Sequence, residues 1–369
     1  MSNLALGLLS ALLATNPPLA VSNLVQQQTG VSMAVPNPND PETQALDKVM
    51  EDDDAAMDEV DRWIRENQAF AAQGGGESRT ELNRRIRARL DLVRAKYEDF
   101  LKRYPNSARG HLAYGTFLND IGEEEAAVTE YQKSRELDPN NPAVWNNLAN
   151  YYGEFSPVTN AFVDYAKAIE LDPTEPVYYE NFATTVYLFR KDAEAFFHLN
   201  EQQVFDKALD LYRQAMKLAP EDFTLATDYA ESYYGIKPLR TNDALAAWTN
   251  ALNIAHNDFE REGVLIHLAR VKIAAGRFAE AQAHLDAVTN AAYADLKQRL
   301  ERNLVEREKE AARTNALAAP AAAPVVAPLT NAVPALPNAP PFSATLAKTT
   351  TNVPPDPPSA TNLSTPLKH

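Results

Sequence analysis

The chain has 369 residues, 45% of them hydrophobic, and a formal net charge of −15. It contains no cysteine, which excludes disulfides, thiolate–metal sites and cysteine nucleophiles. No basic stripe with interleaved aromatics is present, so nucleic acid is not an expected partner.

The first feature in chain order is the uncharged apolar run Leu4–Ala14, LALGLLSALLA. It is too short to cross a bilayer as a helix, and no integral membrane span is expected. It has the length of a secretory core, and Ala20-Val21-Ser22 offers small residues for cleavage. The first basic residue, however, is Lys48, so the usual basic leader is missing. Two readings stay open for residues 1–40: a signal directing export to the periplasm, or an apolar helix that docks on the rest of a cytoplasmic protein. Next, ten acidic residues and one lysine stand between Asp40 and Asp61. They lack the central glycine and the twelfth-position glutamate of a calcium loop, and read as a solvated helix face.

Leu46, Val49, Met50, Met57, Val60, Trp63, Ile64 and Phe70 form one helical stripe over 45–71. Leu82, Ile86, Leu90, Val93, Tyr97, Phe100 and Leu101 form another over 79–104. Beyond them a register begins. Pro105, Pro139 and Pro173 are 34 residues apart, and each closes a helical run. Ala127, Tyr131 and Ser134 fall on Ala161, Tyr165 and Ala168. In 142–173, Trp145, Leu148, Ala149 and Tyr152 share one helix face, and Ala161, Tyr165 and Ala168 share another. The unit 108–139 carries Tyr114, Gly115 and Leu118, with Gly122 at the turn. A third unit, 176–220, has Tyr179, Phe182, Ala183, Ala208 and Tyr212, with thirteen extra residues near Ala193–Val204. Since the insertion lacks Gly and Pro, longer helices are expected there. The unit 223–256 carries Tyr229, Ala230, Ala244 and Trp248, with about two extra residues near Lys237-Pro238. The last, 262–288, has Leu268, Ala269, Gly276, Ala281 and Leu285, and departs from the pattern with Lys272.

This pattern resembles the tetratricopeptide repeat of bacterial type, a helix–turn–helix unit that buries its apolar face only by stacking. The resemblance implies an all-α solenoid over 41–313. It comprises a degenerate first repeat 45–105, the five units above and a capping helix 289–313. Residues 314–369, rich in Ala, Pro and Thr, are expected to form a disordered tail.

The resemblance also places a binding groove on the first helix of each unit. There the side chains turned from the core are Asn146, Asn147 and Asn150, then Glu180, Asn181 and Thr184, then Thr227, Asp228 and Glu231, and finally Ile266, His267 and Arg270. The residues expected to contact a bound peptide are Asn146, Asn147, Asn150, Asn181, Thr184, Asp228 and Glu231. Asn147 and Asn181 are register-equivalent, and amides offer donors and acceptors together. The carboxylate clamp of chaperone-binding members is not expected, because Leu112, Val177 and Asn181 stand where cations are needed.

Catalytic motifs are absent from the sequence. The six histidines form no HxxxH pair, and no GxSxG elbow or phosphate loop occurs. No cofactor or metal is expected. The function implied is a non-enzymatic scaffold that binds a protein or peptide segment. The alternatives are an exported cell-envelope assembly factor and an accessory subunit of an enzyme complex.

Overall fold

The computed structural model describes residues 39–318, apart from residues 73 and 156 and the side chains of 315–318. The run Leu4–Ala14 and the tail beyond 318 lie outside the described residues.

Every described regular element is helical. The first pair is α1 (Pro41–Ala71) and α2 (Arg79–Arg103). Then come α3 (Ala108–Asp120) with α4 (Glu124–Leu137), and α5 (Pro142–Phe155) with α6 (Thr159–Leu171). The third unit holds three helices: α7 (Pro176–Leu188), α8 (Arg190–Phe197) and α9 (Glu201–Leu218). The pairs α10 (Phe223–Ser232) with α11 (Thr241–Ile254) and α12 (Asp258–Ala274) with α13 (Phe278–Asp286) follow. Last is α14 (Ala294–Ala318). The expected tail start at 314 is therefore moved, because the helix continues through 318.

Local chemistry sets the ends. Asp40, Ser78, Ser107, Asn200, Asp222 and Asn257 each turn a side-chain oxygen onto a first-turn backbone N–H. Gly122 and Gly276 take φ of 77° and 74° between paired helices, a left-handed conformation that favours glycine.

The core is serial. One cluster joins α1 through α5, with Val93, Phe100, Leu118 and Leu148 buried. A second spans α5 to α9 around Ala149, Ala161, Phe162 and Ala208. A third spans α9 to α12 around Trp248, and a fourth seats α14 against α12 and α13. The small residues stand where helices approach: a Cβ on Gly115 would meet the Tyr131 ring at 2.7 Å.

A repeated clip closes three successive inter-repeat turns. The ring of His111 bonds the carbonyl of Pro105 at 3.1 Å, Trp145 Nε1 donates to Pro139 at 2.9 Å, and the Tyr179 hydroxyl donates to Pro173 at 3.2 Å. Trp145 is therefore not wholly a core residue, as its place in the helical stripe suggests. It is half-buried over the turn, with Arg135 stacked 5.1 Å from its ring.

The acidic run is not merely solvated. Arg89, with a side chain only 14% exposed, pairs with Asp52 at 3.2 Å and with Glu59 at 2.8 Å. The Tyr97 hydroxyl donates to Asp53 at 2.8 Å. Those carboxylates lock α1 onto α2.

The insertion does not lengthen both helices of its unit. Helix α7 keeps 13 residues and α9 grows to 18, while the remainder forms the separate helix α8. His198 ends α8 in the left-handed region at φ 56°, and an Asn200–Gln203 capping box opens α9. Phe196 and Phe197 hold α8 down by packing on Phe162 at 5.4 and 5.3 Å between ring centroids.

Candidate functional site

The face to consider is made by the first helices of consecutive units: α3, α5, α7, α10 and α12. Its N-terminal half is an amide rail. Asn181 Nδ2 donates to Asn146 Oδ1 at 3.1 Å, Asn146 Nδ2 to Asn147 Oδ1 at 3.3 Å, and Asn147 Nδ2 to Thr116 Oγ1 at 3.5 Å. The rail joins α3, α5 and α7. It corrects the expectation that all these amides face an open groove, because Asn146 is only 6% exposed. A buried amide must spend its hydrogen-bonding capacity within the fold, and here it does so on its neighbours.

Asn150 and Thr184 also have internal partners. The Tyr165 hydroxyl donates to Asn150 Oδ1 at 2.7 Å, and the hydroxyls of Tyr212 and Thr184 share a bond at 2.8 Å. Both tyrosines come from second helices and are almost wholly buried. Asn150 and Thr184 thus satisfy the polar tips of core aromatics. Asn150 remains exposed at its outer edge.

The other half of the face is acidic. Glu180 on α7 meets Asp228 on α10. Burial first, and then the nearby Asp228 and Asp222, push the Glu180 carboxyl up to about 7. Asp228 is also raised, by burial and then Asp222. Glu231 is exposed, and burial of part of its carboxyl followed by the Asp228 charge moves it upward too. Among the described residues, none of the three makes an ion pair with lysine or arginine.

The C-terminal edge is aromatic. His267 lies flat on Trp248, with centroids 4.1 Å apart and planes 16° apart, and its Nδ1 bonds the Tyr234 hydroxyl at 3.0 Å. Burial first, and then the Arg270 charge, depress His267 to about 4, so its ring is neutral at pH 7. Arg270, exposed, stacks 4.2 Å over Tyr234. Ile266 does not belong to the face. It is 2% exposed and packs in the core beside Ala269 and Ile273.

The sequence does not single out Thr116, Tyr234 or Trp248 as parts of this face. Thr116 was findable, since it stands 34 residues before Asn150. Lys272, the departure from the apolar pattern, is satisfied by Glu280 at 3.1 Å and by His284 Nε2 at 2.8 Å. Among the described residues, no three His, Asp or Glu side chains converge as a metal would require, and no helix is long and apolar enough to cross a membrane.

A pH dependence follows from Glu180. Its folded-state pKa lies above the unfolded value, so the native state holds the proton more tightly. The associated stability is present below about pH 4.5 and is lost as pH rises through about 7. Glu180→Gln should therefore melt above the unaltered protein at pH 8, by about 1 kcal/mol after allowing for partial solvation. That gap should close towards pH 4.5. Melts at the two pH values check this, and a gap independent of pH would refute it.

No protein-family model matches the chain, and no curated protein matches it. Among solved structures it is similar to MamA, at 21% identity over 47% of this chain and 92% of that one, with a TM-score of 0.38. YrrB, described as a TPR protein with an unusual peptide-binding site, is 14% identical over 56% of this chain and 97% of its own, with a TM-score of 0.43. PilF of Pseudomonas aeruginosa is 16% identical over 71% and 99%, with a TM-score of 0.43. These overlays are partial, and the assignment of the fold rests on the 34-residue register and on the stacked helix pairs. On those two observations the chain is an α-solenoid of tetratricopeptide-type repeats.

Proposed function

We propose that the chain is a non-enzymatic scaffold whose first-helix face binds an extended segment of another protein. One observation carries this reading: Glu180, Asp228 and Glu231 stand together on that face with no lysine or arginine paired to them among the described residues. Elsewhere the chain pairs such groups, as Asp52, Glu59 and Glu280 show. Burial first, and neighbouring carboxylates after it, raise these groups, and a cation from outside relieves them, so the bound segment carries lysine or arginine opposite α7 and α10. Asn147 and Asn181 lie beside them with hydrogen-bonding capacity left over from the rail, suited to a peptide backbone.

The test begins with a partner captured by the full chain from its native host. Glu231→Lys should weaken its binding at least about tenfold, with the loss shrinking at high salt. The double variant Asn147→Ala, Asn181→Ala should weaken it about five- to a hundredfold. Because both amides belong to the rail, this variant should also melt lower, so binding is measured well below its transition. If all variants bind normally while deletion of residues 319–369 abolishes binding, the tail is the recognition element and this reading fails.

A further inference from the structure

A groove of about 860 Å³ lies between α1 and α2, and its lining reverses the charge of the chain. Acidic residues outnumber basic ones 50 to 35 in the sequence. Here four cations, Lys48, Arg89, Lys96 and Arg103, stand against two carboxylates, Asp52 and Asp99. Both carboxylates are already engaged. Asp52 serves two cations, Arg89 at 3.2 Å and Lys96 at 3.0 Å, and Asp99 pairs with Arg103 at 3.1 Å. Lys48 is exposed and makes no ion pair among the described residues. Neighbouring acidic residues of α1 turn out of the groove: Asp47 faces Arg109 at 3.6 Å, and Asp53 takes the Tyr97 hydroxyl at 2.8 Å. The rest of the lining includes the apolar Val49 and Leu92. Leu92 is 61% exposed, while Val93 beside it is wholly buried.

We propose that this groove docks an acidic amphipathic helix of a partner protein. One face of that helix lays apolar side chains on Leu92 and Val49. Its margins carry glutamate or aspartate opposite Lys48, Lys96 and Arg103. Each simpler occupant fails on one count. An uncharged helix would leave the cations desolvated, a basic one would meet Lys48 without countercharge, and a wholly polar one would leave Leu92 in water. The amphipathic helix answers both parts of the lining, and helices lie in grooves by their apolar face. The methylene stems of lysine and arginine can cover its flanks while their charged heads reach its acidic edge. The α1 wall runs from Pro41 to Asp52, a rise of about 16 Å, which accommodates about three helical turns. This proposal does not rest on the peptide-binding reading of the first-helix face. It gives the chain a second docking site, selective for the opposite charge.

The probe is a fluorescent synthetic peptide, blocked at both ends and about three helical turns long. It carries leucine at i, i+3, i+4 and i+7 and glutamate elsewhere. Titrated with the full chain, it should bind saturably, and more weakly as salt rises. Lys48→Glu and Leu92→Asp should each weaken it at least about tenfold. Both side chains are exposed, so the two variants should melt as the unaltered protein does. Glu231→Lys, on the other face, should leave this binding unchanged, whatever it does to a segment bound there. No saturable binding overturns the proposal. So does binding that neither groove variant weakens. So does equal affinity for the same peptide with glutamine in place of leucine, which would reduce the effect to charge alone. A dimer of the chain that forms without peptide and that Leu92→Asp dissociates overturns it too, and would assign the groove to a second copy.

Discussion

Trp248→Ala should destabilise the solenoid by about 3–5 kcal/mol, the range for emptying a large aromatic site in a packed core. The indole is 1% exposed, stacks on His267 and packs 6.1 Å from Tyr234 between ring centroids. Its removal opens a cavity between α11 and α12, where no small shift of either helix refills it. In a stacked array each repeat touches only its neighbours, so the damage should stay local. Amide exchange should accelerate over α10–α13 and remain unchanged over α3–α6. Trp248→Phe separates packing from hydrogen bonding. Since the indole N–H has no acceptor in bonding geometry among the described residues, Phe gives up volume but no bond. It should retain most of the stability. A Phe variant as damaged as Ala would show that the N–H has a role that packing does not explain.

Ending the chain at Val288 should have an effect as large and of a different kind. That truncation removes Leu296, Leu300 and Leu304 from the last apolar cluster and uncovers Ile266, Ile273, Ala281 and Leu285. At about 1.5–3 kcal/mol for each large side chain returned to water, the loss is on the order of 5 kcal/mol. The uncovered face is a continuous apolar surface, so the truncated protein should associate as its concentration rises. Sedimentation and melting across a concentration series measure both effects. A truncated chain that stays monomeric and melts unchanged would mean that α14 is not a cap.

The sequence reveals the solenoid because one kind of constraint, the 34-residue return of small and aromatic residues, acts wherever helices meet. Ala149 and Ala161 are legible because a larger residue would not fit. The face is less legible, since polar residues in register can serve two purposes that leave the same pattern. Asn146, Asn150 and Thr184 look like ligand contacts, yet Asn146 bonds Asn147 and Asn181, and Asn150 and Thr184 bond the hydroxyls of Tyr165 and Tyr212. Only the three-dimensional partner separates the cases. The helix α8 was missed for a local reason. Its stop is His198 in a left-handed conformation, where glycine is the common signal, although the Asn200–Gln203 box that follows is written plainly in the sequence. The acidic run Glu51–Asp61 is legible only in its solvated part, because Arg89, the partner of Asp52 and Glu59, stands on the next helix.

The ring-to-proline clips carry a consequence for how such a chain can change. Imidazole, indole and phenol fasten three successive turns, so the shared requirement is a flat ring with a polar hydrogen, not a residue type. The receiving carbonyl belongs to the main chain, which substitution cannot alter. The spacing from one repeat to the next is therefore stored in the backbone, and side chains at these positions are free to drift among three chemistries. His111 is the one clip of an ionisable type that ordinarily changes charge near neutral pH. Its other nitrogen faces Glu130 at 2.6 Å, and that carboxylate first, with the Pro105 carbonyl, holds the ring's pKa above the ordinary value. Losing one proton leaves the imidazole a single N–H for the Pro105 carbonyl and Glu130 to share, whereas the indole and phenol of the next two joints each serve one carbonyl alone.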